Sequence, residues 1–519
     1  MKRQMKADAV VVGAGVTGCG VARDLALRGL SVLLVERGDI NSGASGGNHG
    51  LLHSGARYAF ADKESAEECH EENTLLKEVA PQCVESTGGL FVGVKGDDEN
   101  DMADFAGHLE ESGVPYRKIS VEEALALEPT VNPDIVAAYE VEDAAVDPFM
   151  LSLDNVADAQ AHGGTLLCGT ELVDVRREGA RITHALLHQK ATNITFEVET
   201  SCVVNAAGAW AGKVASIAGA ETPVRCSKGT LVITGHRVAH RVINRLRRPS
   251  DADIVVPGGT VSIMGTTSVT VDDPDAAWPT PMEVDRIVEE SCALIPSLND
   301  TRMIRAYCGV RPLFGGGGGD DRNVSRNFKL IQHVNEGVEN LFTITGGKLT
   351  TYRLMAEKCA DAVCDYVGKG GPCETTTRIL PASSDAMWTE PGAAPKKWMA
   401  AHEPGDGMIC ECEMVSESVA TSLIHSLESQ GLSRGLVEVG LRSRVGKGPC
   451  QGSFCGLRLA AWMYENDHIQ GHEGLSGLAR FYRERWKGMR PVTWGENLAR
   501  AELHEALQCG LFGMEVDDA

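Results

Sequence analysis

No apolar run in the 519-residue chain is long enough to cross a bilayer, so an intrinsic membrane anchor is not expected. No basic-then-apolar leader precedes the first strand-like run, and a cytoplasmic protein is expected. Basic residues are in short supply: 49 Lys and Arg stand against 72 Asp and Glu, a formal net charge of −23. A surface of that sign repels a phosphate backbone, so nucleic acid is not an expected partner. The acidic residues are spread along the chain and read as a solvated surface. Hydrophobic residues make up 43 % of the chain, ample for a large core, and the length predicts roughly two or three domains. Of the 16 cysteines, all but four are scattered, as suits reduced thiols in a cytosol.

What is present is concentrated at the start. Val10 to Val12 reads as a buried strand that runs into Gly13-x-Gly15-x-x-Gly18. Gly13 permits the tight turn, Gly15 lets the backbone approach a pyrophosphate, and Gly18 lets the next helix pack on the strand. That helix, over residues 19–28 and ended by Gly29, points its free N–H groups at the pyrophosphate. A second strand, Val32 to Val35, ends at Glu36, whose carboxylate can accept from the hydroxyls of an adenosine ribose. FAD is favoured over NAD, because the motif lies at the N-terminus and a second glycine cluster follows at once. No second strand–GxGxxG–helix unit occurs, so NAD(P) is not the expected electron acceptor.

The small-residue stretch 41–58 reads either as a surface loop or as a loop lying under a flavin, with Arg57 and Tyr58 projecting toward whatever sits there. Helices are expected over 62–79 and 121–128, and strands over 87–94, 140–146 and 163–168. A buried strand from Ser201 ends in a small-residue turn at Gly208. Residues 224–270 carry strand signals and many basic residues, most of them read as solvated. Gly309-Val310-Arg311-Pro312-Leu313 precedes five glycines, Gly315 to Gly319, read as a disordered loop or a flap between Arg311 and Arg326. Residues 340–351 read as a strand, a glycine turn and the start of a helix running to about Val367. Pro-rich residues 376–405 read as a linker.

Beyond it lie Cys410-Glu411-Cys412 and Cys450-Gln451-Gly452-Ser453-Phe454-Cys455. Two close thiol pairs can converge on a metal centre. Structural zinc prefers two or more residues between paired ligands, so the C-x-C pair suits a [2Fe–2S] cluster better than zinc. The segment 481–488 reads as an amphipathic docking surface or as a capping element of the small domain.

Residues 1 to about 370 resemble the FAD-dependent glycerol-3-phosphate dehydrogenases. The likeness rests on the N-terminal fingerprint, His53-Ser54-Gly55-Ala56-Arg57-Tyr58, Gly309-Val310-Arg311-Pro312-Leu313 and Gly346-Gly347-Lys348-Leu349-Thr350-Thr351-Tyr352-Arg353. Pro249-Ser250-Asp251-Ala252-Asp253-Ile254, the four cysteines and Glu484-Arg485-Trp486-Lys487-Gly488 extend it to the anaerobic, multi-subunit branch of that family.

The resemblance implies an α/β chain with a Rossmann-type FAD-binding domain and an interleaved β-rich substrate domain over 1–375. After the linker come a small helical [2Fe–2S] domain over 406–465 and a docking or capping tail over 466–519. It implies oxidation of sn-glycerol 3-phosphate to dihydroxyacetone phosphate by hydride transfer to FAD. Gly13, Gly15, Gly18, Glu36, Arg37, Ser45, Gly208, Gly347, Lys348, Leu349 and Thr350 would hold the cofactor, and Arg57, Arg311 and Arg326 the phosphate. Lys348 would be base or electrostatic stabiliser, with Lys228 and His53 as other candidates, because aerobic relatives carry a histidine near Ser227-Lys228-Gly229. Cys410, Cys412, Cys450 and Cys455 would hold the cluster. Electrons would pass from it to second and third subunits, then to quinone, at the cytoplasmic face of the inner membrane. The rival readings are an amine or amino-acid oxidase of the same flavin fold and a non-catalytic iron–sulfur redox module.

Overall fold

The computed structural model describes residues 5–315, 327–389, 392–401 and 404–514. Among these residues two large sheets, of eight and nine strands, organise the first three-quarters of the chain. In the first sheet the strand Met5–Val12 lies parallel to Val32–Val35 on one side and to Ile194–Asn205 on the other. Ile194–Asn205 forks: its start pairs with Arg181–Gln189 and its end with Leu341–Gly346, again in parallel. The registers put Val12 level with Val35 and with Asn205, and Asn205 level with Thr343. The carboxyl ends of four strands therefore open on one edge, where ligands of such sheets bind. That edge gathers Gly13, Glu36, Gly208 and Gly347.

The helix Val16–Leu27 packs on this sheet and against Tyr352–Val367 and Pro148–Ala161. A Cβ on Gly18 would collide with the carbonyl of Gly13, so only glycine allows the helix to start so close to the strand. Inside this layer Arg23 meets Asp158 at 2.7 Å, both side chains buried.

The second sheet is built on a long antiparallel pair, Val224–Thr234 with Met303–Phe314, in a register that sets Gly229 opposite Gly309. Its outer face is covered by the helix Pro281–Leu294 through Val284, Ile287 and Leu294. The stretch 140–146, expected as one strand, is two. Ile135–Val141 belongs to this sheet, while Ala144–Val146 joins a small sheet with Leu51–Leu52 and Val84–Glu85. Between them Asp143, buried, accepts from the Ser54 N–H (2.7 Å) and the Asn244 amide (3.0 Å), which turns the chain from one sheet to the other.

A separate apolar core holds the C-terminal part: the hairpin Met408–Cys410 with Val415–Ser416, and the helices Glu417–Ser429, Leu436–Arg442, Cys455–Glu465 and Glu473–Met489. Within residues 376–405, Leu380 and Ala386 are buried in the first core, Trp388 packs against the C-terminal one, and Ala393–Ala401 is a helix. Arg442 reaches Asp39 at 2.7 Å across the junction of the two parts. Residues 481–488 lie inside this junction. Phe481 and Tyr482 are buried, and a Cβ on Gly488 would stand 2.7 Å from Arg305 Cγ. No helix among the described residues is long and apolar enough to cross a membrane.

Candidate active site

A cavity of about 950 Å³ runs from the edge of the first sheet to the second. Its inner half is lined by Gly13, Gly15, Glu36, Arg37 and Ser45. Gly13 has φ +105°, and a Cβ there would stand 2.7 Å from the Ala206 carbonyl oxygen. The Ser45 hydroxyl accepts the Val16 N–H at 3.0 Å, tying the loop after Glu36 to the helix N-terminus. Each Glu36 oxygen already accepts one backbone N–H, from Ala14 (2.9 Å) and Gly38 (2.8 Å), and keeps lone pairs for a ligand. Burial pushes this carboxyl above its ordinary range, opposed by those two hydrogen bonds. Arg37 stacks over Trp210 at 4.3 Å and reaches Asp275 at 2.6 Å, making a planar wall. Gly208, φ +54°, turns the chain back beside it. Gly347 and Leu349 also line the cavity, whereas Gly18 and Thr350 stand behind its wall. Gly18 serves packing, and the Thr350 hydroxyl accepts the His53 N–H at 3.1 Å.

The outer half brings together Arg57, Arg311 and Lys348. Arg57 donates to Asp253 at 2.5 Å through Nη2, while its Nη1 is buried with no hydrogen-bond partner among the described residues. Arg311 donates to the Thr267 carbonyl at 3.2 Å and to the Thr266 hydroxyl. Lys348 Nζ donates to Ser65 Oγ at 2.9 Å and lies 5.0 Å from the Tyr58 ring centre. Arg326 falls outside the described residues, as do Gly316 to Gly319.

Lys228, a candidate base, faces away. Side chains alternate along a strand, and its neighbour Gly229 lines the cavity. Lys228 is 6 % exposed and donates to Glu283 (2.7 Å) and the Trp278 carbonyl (2.8 Å) on the other face.

Two histidines do face the cavity. Burial, with the charges of Arg311 and Arg57, pulls the His49 imidazole down to about 3. Burial, then His49, Arg57 and Lys348, holds His53 well below its ordinary value. Both are therefore neutral at pH 7, and each has a buried Nδ1 with no hydrogen-bond partner among the described residues. His49 is not among the residues expected from the sequence; its signal there is a second histidine four residues before His53 in the same glycine-rich loop. The loop itself is wedged in place, since a Cβ on Gly47 would stand 2.6 Å from Gly309 Cα.

The family model described as FAD dependent oxidoreductase matches residues 8–362. The chain belongs to the FAD-dependent oxidoreductase family. It is 41 % identical to a subunit of the anaerobic glycerol-3-phosphate dehydrogenase of Escherichia coli K12, over 98 % of this chain and 97 % of that one. It is 37 % identical to the corresponding subunit of the Haloferax volcanii enzyme, over 98 % and 91 %. In fold it is similar to the Bacillus halodurans glycerol-3-phosphate dehydrogenase solved with FAD, with a TM-score of 0.64, 19 % identity, and 94 % and 96 % of the two chains covered. The FAD-dependent oxidoreductase family accounts for the cofactor, and the cavity fits FAD. Bare glycine backbone lies where a pyrophosphate must approach, an acid stands at the second strand's end, and the glycine turn 346–347 faces the outer half.

The family match ends before the cysteines, so their geometry stands by itself. Cys412 Sγ lies 3.7 Å from Cys410 Sγ and 3.7 Å from Cys450 Sγ. The four sulfurs form one cluster, as the contacts of Cys455 with Cys410 and Cys450 also show, and not two separated pairs. Those sulfur contacts pull the Cys410 and Cys450 thiols down and push Cys412 and Cys455 up, as expected of thiols that share protons at close range. Cys410 and Cys455 are buried, and Cys412 is exposed. Among the described residues, no group of three or more His, Cys, Asp or Glu side chains is placed to hold a metal ion as it stands. An all-sulfur donor set drawn together in this way fits a thiolate-held centre.

Proposed function

We propose that this chain is the flavin subunit of an anaerobic glycerol-3-phosphate dehydrogenase, oxidising sn-glycerol 3-phosphate to dihydroxyacetone phosphate. The observation that carries this is the meeting of Arg57, Arg311 and Lys348 with a neutral histidine pair in one cavity. The sequence identity to subunits of the anaerobic enzymes along nearly the whole chain supports it. FAD, when bound, supplies the hydride acceptor.

The chain's own residues do the rest. Arg57 Nη1, buried and unpartnered, and the Arg311 fork supply charged donors for a phosphate. Lys228 is already neutralised by Glu283 and takes no part. His53, kept neutral by its burial, offers a ring nitrogen to take the C2 hydroxyl proton. Lys348, steered by Ser65, places a cation where negative charge develops on that oxygen. The loop wedged by Gly47 and Gly309 holds both histidines in register with the arginines.

Cys410, Cys412, Cys450 and Cys455 would hold a [2Fe–2S] cluster, which would supply one-electron transfer when bound, so that electrons could leave the flavin singly. Cys412, the exposed member, marks the side from which they leave for second and third subunits, then for membrane quinone. Through those subunits the chain sits at the cytoplasmic face of the inner membrane. The expected result is that sn-glycerol 3-phosphate bleaches the bound flavin without oxygen, in protein carrying about two irons per chain. Bleaching by amino acids and not by the phosphorylated substrate refutes the substrate assignment. Stoichiometric zinc without iron refutes the electron relay.

A further inference from the structure

Three cations, Arg485 buried and Arg305 and Lys447 half-buried, stand around the loop that leads to Cys450 and Cys455 with no ion-pair partner among the described residues. Arg485, 9 % exposed, donates through Nη1 to the Gly446 carbonyl at 2.9 Å, and its Nε is buried with no partner. Arg305, on the strand Met303–Phe314, donates to the Glu484 carbonyl at 3.2 Å and the Gln451 amide oxygen at 3.5 Å. Lys447 donates to the Leu441 carbonyl at 3.0 Å and faces the Phe149 ring at 5.5 Å. Carbonyl and amide oxygens offer dipoles, not opposite charge. Arg444 nearby does have a carboxylate, Glu413, at 3.2 Å, and the Glu484 carboxylate is taken by Lys487 at 2.8 Å. Burial opposes the charge on all three cations. Glu484 acts on Arg305 and Arg485, and Asp147 on Lys447, only through space; a desolvated charge without a directly paired opposite charge is costly, which leaves room here for a further counter-charge.

The geometry says where it belongs. The helix Glu473–Met489 presses its Phe481–Arg485 face onto the loop that carries Cys450 and Cys455. A Cβ on Gly452 would stand 2.8 Å from the Phe481 ring and 3.4 Å from Arg485 Cγ, and one on Gly456 would stand 2.9 Å from the same ring. Gln451, which meets Arg305, directly follows Cys450 in the chain. We propose that Arg485, Arg305 and Lys447 are the built-in counter-charge of the thiolate-held cluster and set its reduction potential. This rests on the cluster assigned above. A centre held by four thiolates is anionic, and each electron taken from the reduced flavin converts one ferric iron to ferrous and adds one negative charge. The second electron follows once the first has been passed on. Fixed cations favour the reduced state, so the collar keeps the cluster able to accept electrons from the flavin. It also gives a physical role to the Glu484-Arg485-Trp486-Lys487-Gly488 motif, in which Gly488 admits Arg305 and Arg485 reaches the cysteine loop.

The test is a redox titration of the full chain, purified without oxygen, with the cluster followed by electron paramagnetic resonance and iron and flavin contents measured in parallel. Arg485→Gln and Arg305→Gln are each expected to keep their iron and to disfavour cluster reduction about tenfold, 59 mV more negative for one electron. Arg485→Lys is expected to stay within a few-fold of the parent. If Arg485→Gln loads iron poorly, Arg305→Gln, on a different element, reads the same quantity. Unchanged potentials in iron-loaded variants overturn the proposal. A parent protein without iron overturns the cluster on which it rests, a distinct result.

Discussion

Replacing Glu36 by alanine is the sharpest test of the cofactor half of the cavity. The carboxylate does two jobs at once. Its oxygens accept the N–H groups of Ala14 (2.9 Å) and Gly38 (2.8 Å), and its remaining lone pairs face the cavity. Gly38 is exposed and can turn to water, but the Ala14 N–H is buried and would be left unpaired. A buried unsatisfied donor costs about 1–3 kcal/mol of stability. Loss of a charged hydrogen bond to a ribose hydroxyl costs a further ~1.5–3 kcal/mol of binding, which at 1.4 kcal/mol per tenfold is roughly 10–150-fold weaker FAD binding. Glu36→Gln keeps one oxygen acceptor and sets an amide against the other N–H, so it is expected to fall between the two. The assay is flavin titration of apoprotein, followed by absorbance, alongside denaturant unfolding of the same samples. Parental FAD affinity in Glu36→Ala would refute the ribose contact, and parental stability would refute the structural one.

The histidine pair predicts a pH effect. A His49 held at about 3 stays neutral in the folded protein, while in the unfolded chain it takes a proton below pH 6.5. Stability is therefore lost as pH falls through 6.5, by about 2 kcal/mol at pH 5 from this residue. His53 acts in the same direction, and His49→Gln is expected to flatten the slope of stability between pH 8 and pH 5. Gly309→Ala drives a Cβ into the Gly47 carbonyl, backbone against backbone, and is expected to cost about 1–3 kcal/mol and to lower flavin retention on gel filtration. An undiminished flavin content would show that the loop 41–50 does not need that close approach.

The nucleotide fingerprint was legible because its demands are local. Gly13 at φ +105° and Gly18 against the Gly13 carbonyl follow from the geometry of one strand, one turn and one helix. The thiol pairs were legible for the same reason, since C-x-C brings two sulfurs together over a single intervening residue. Which way Lys228 points was not legible, because it depends on the phase of a strand and on a Glu283 that comes from a distant helix. Neither the neutrality of His49 and His53 nor the orphaned Nη1 of Arg57 follows from spacing, because burial is a property of everything packed around them. The break at Asp143 escaped notice because apolar residues on both sides continue the strand pattern, while the turn is made by hydrogen bonds to Ser54 and Asn244 far off in the chain. Periodicity and turn chemistry thus settled the elements and the cofactor. The long-range register of the sheets and the seating of the C-terminal helices on the strand Met303–Phe314 settled which charges meet, because desolvation acts only once distant segments have closed over a group.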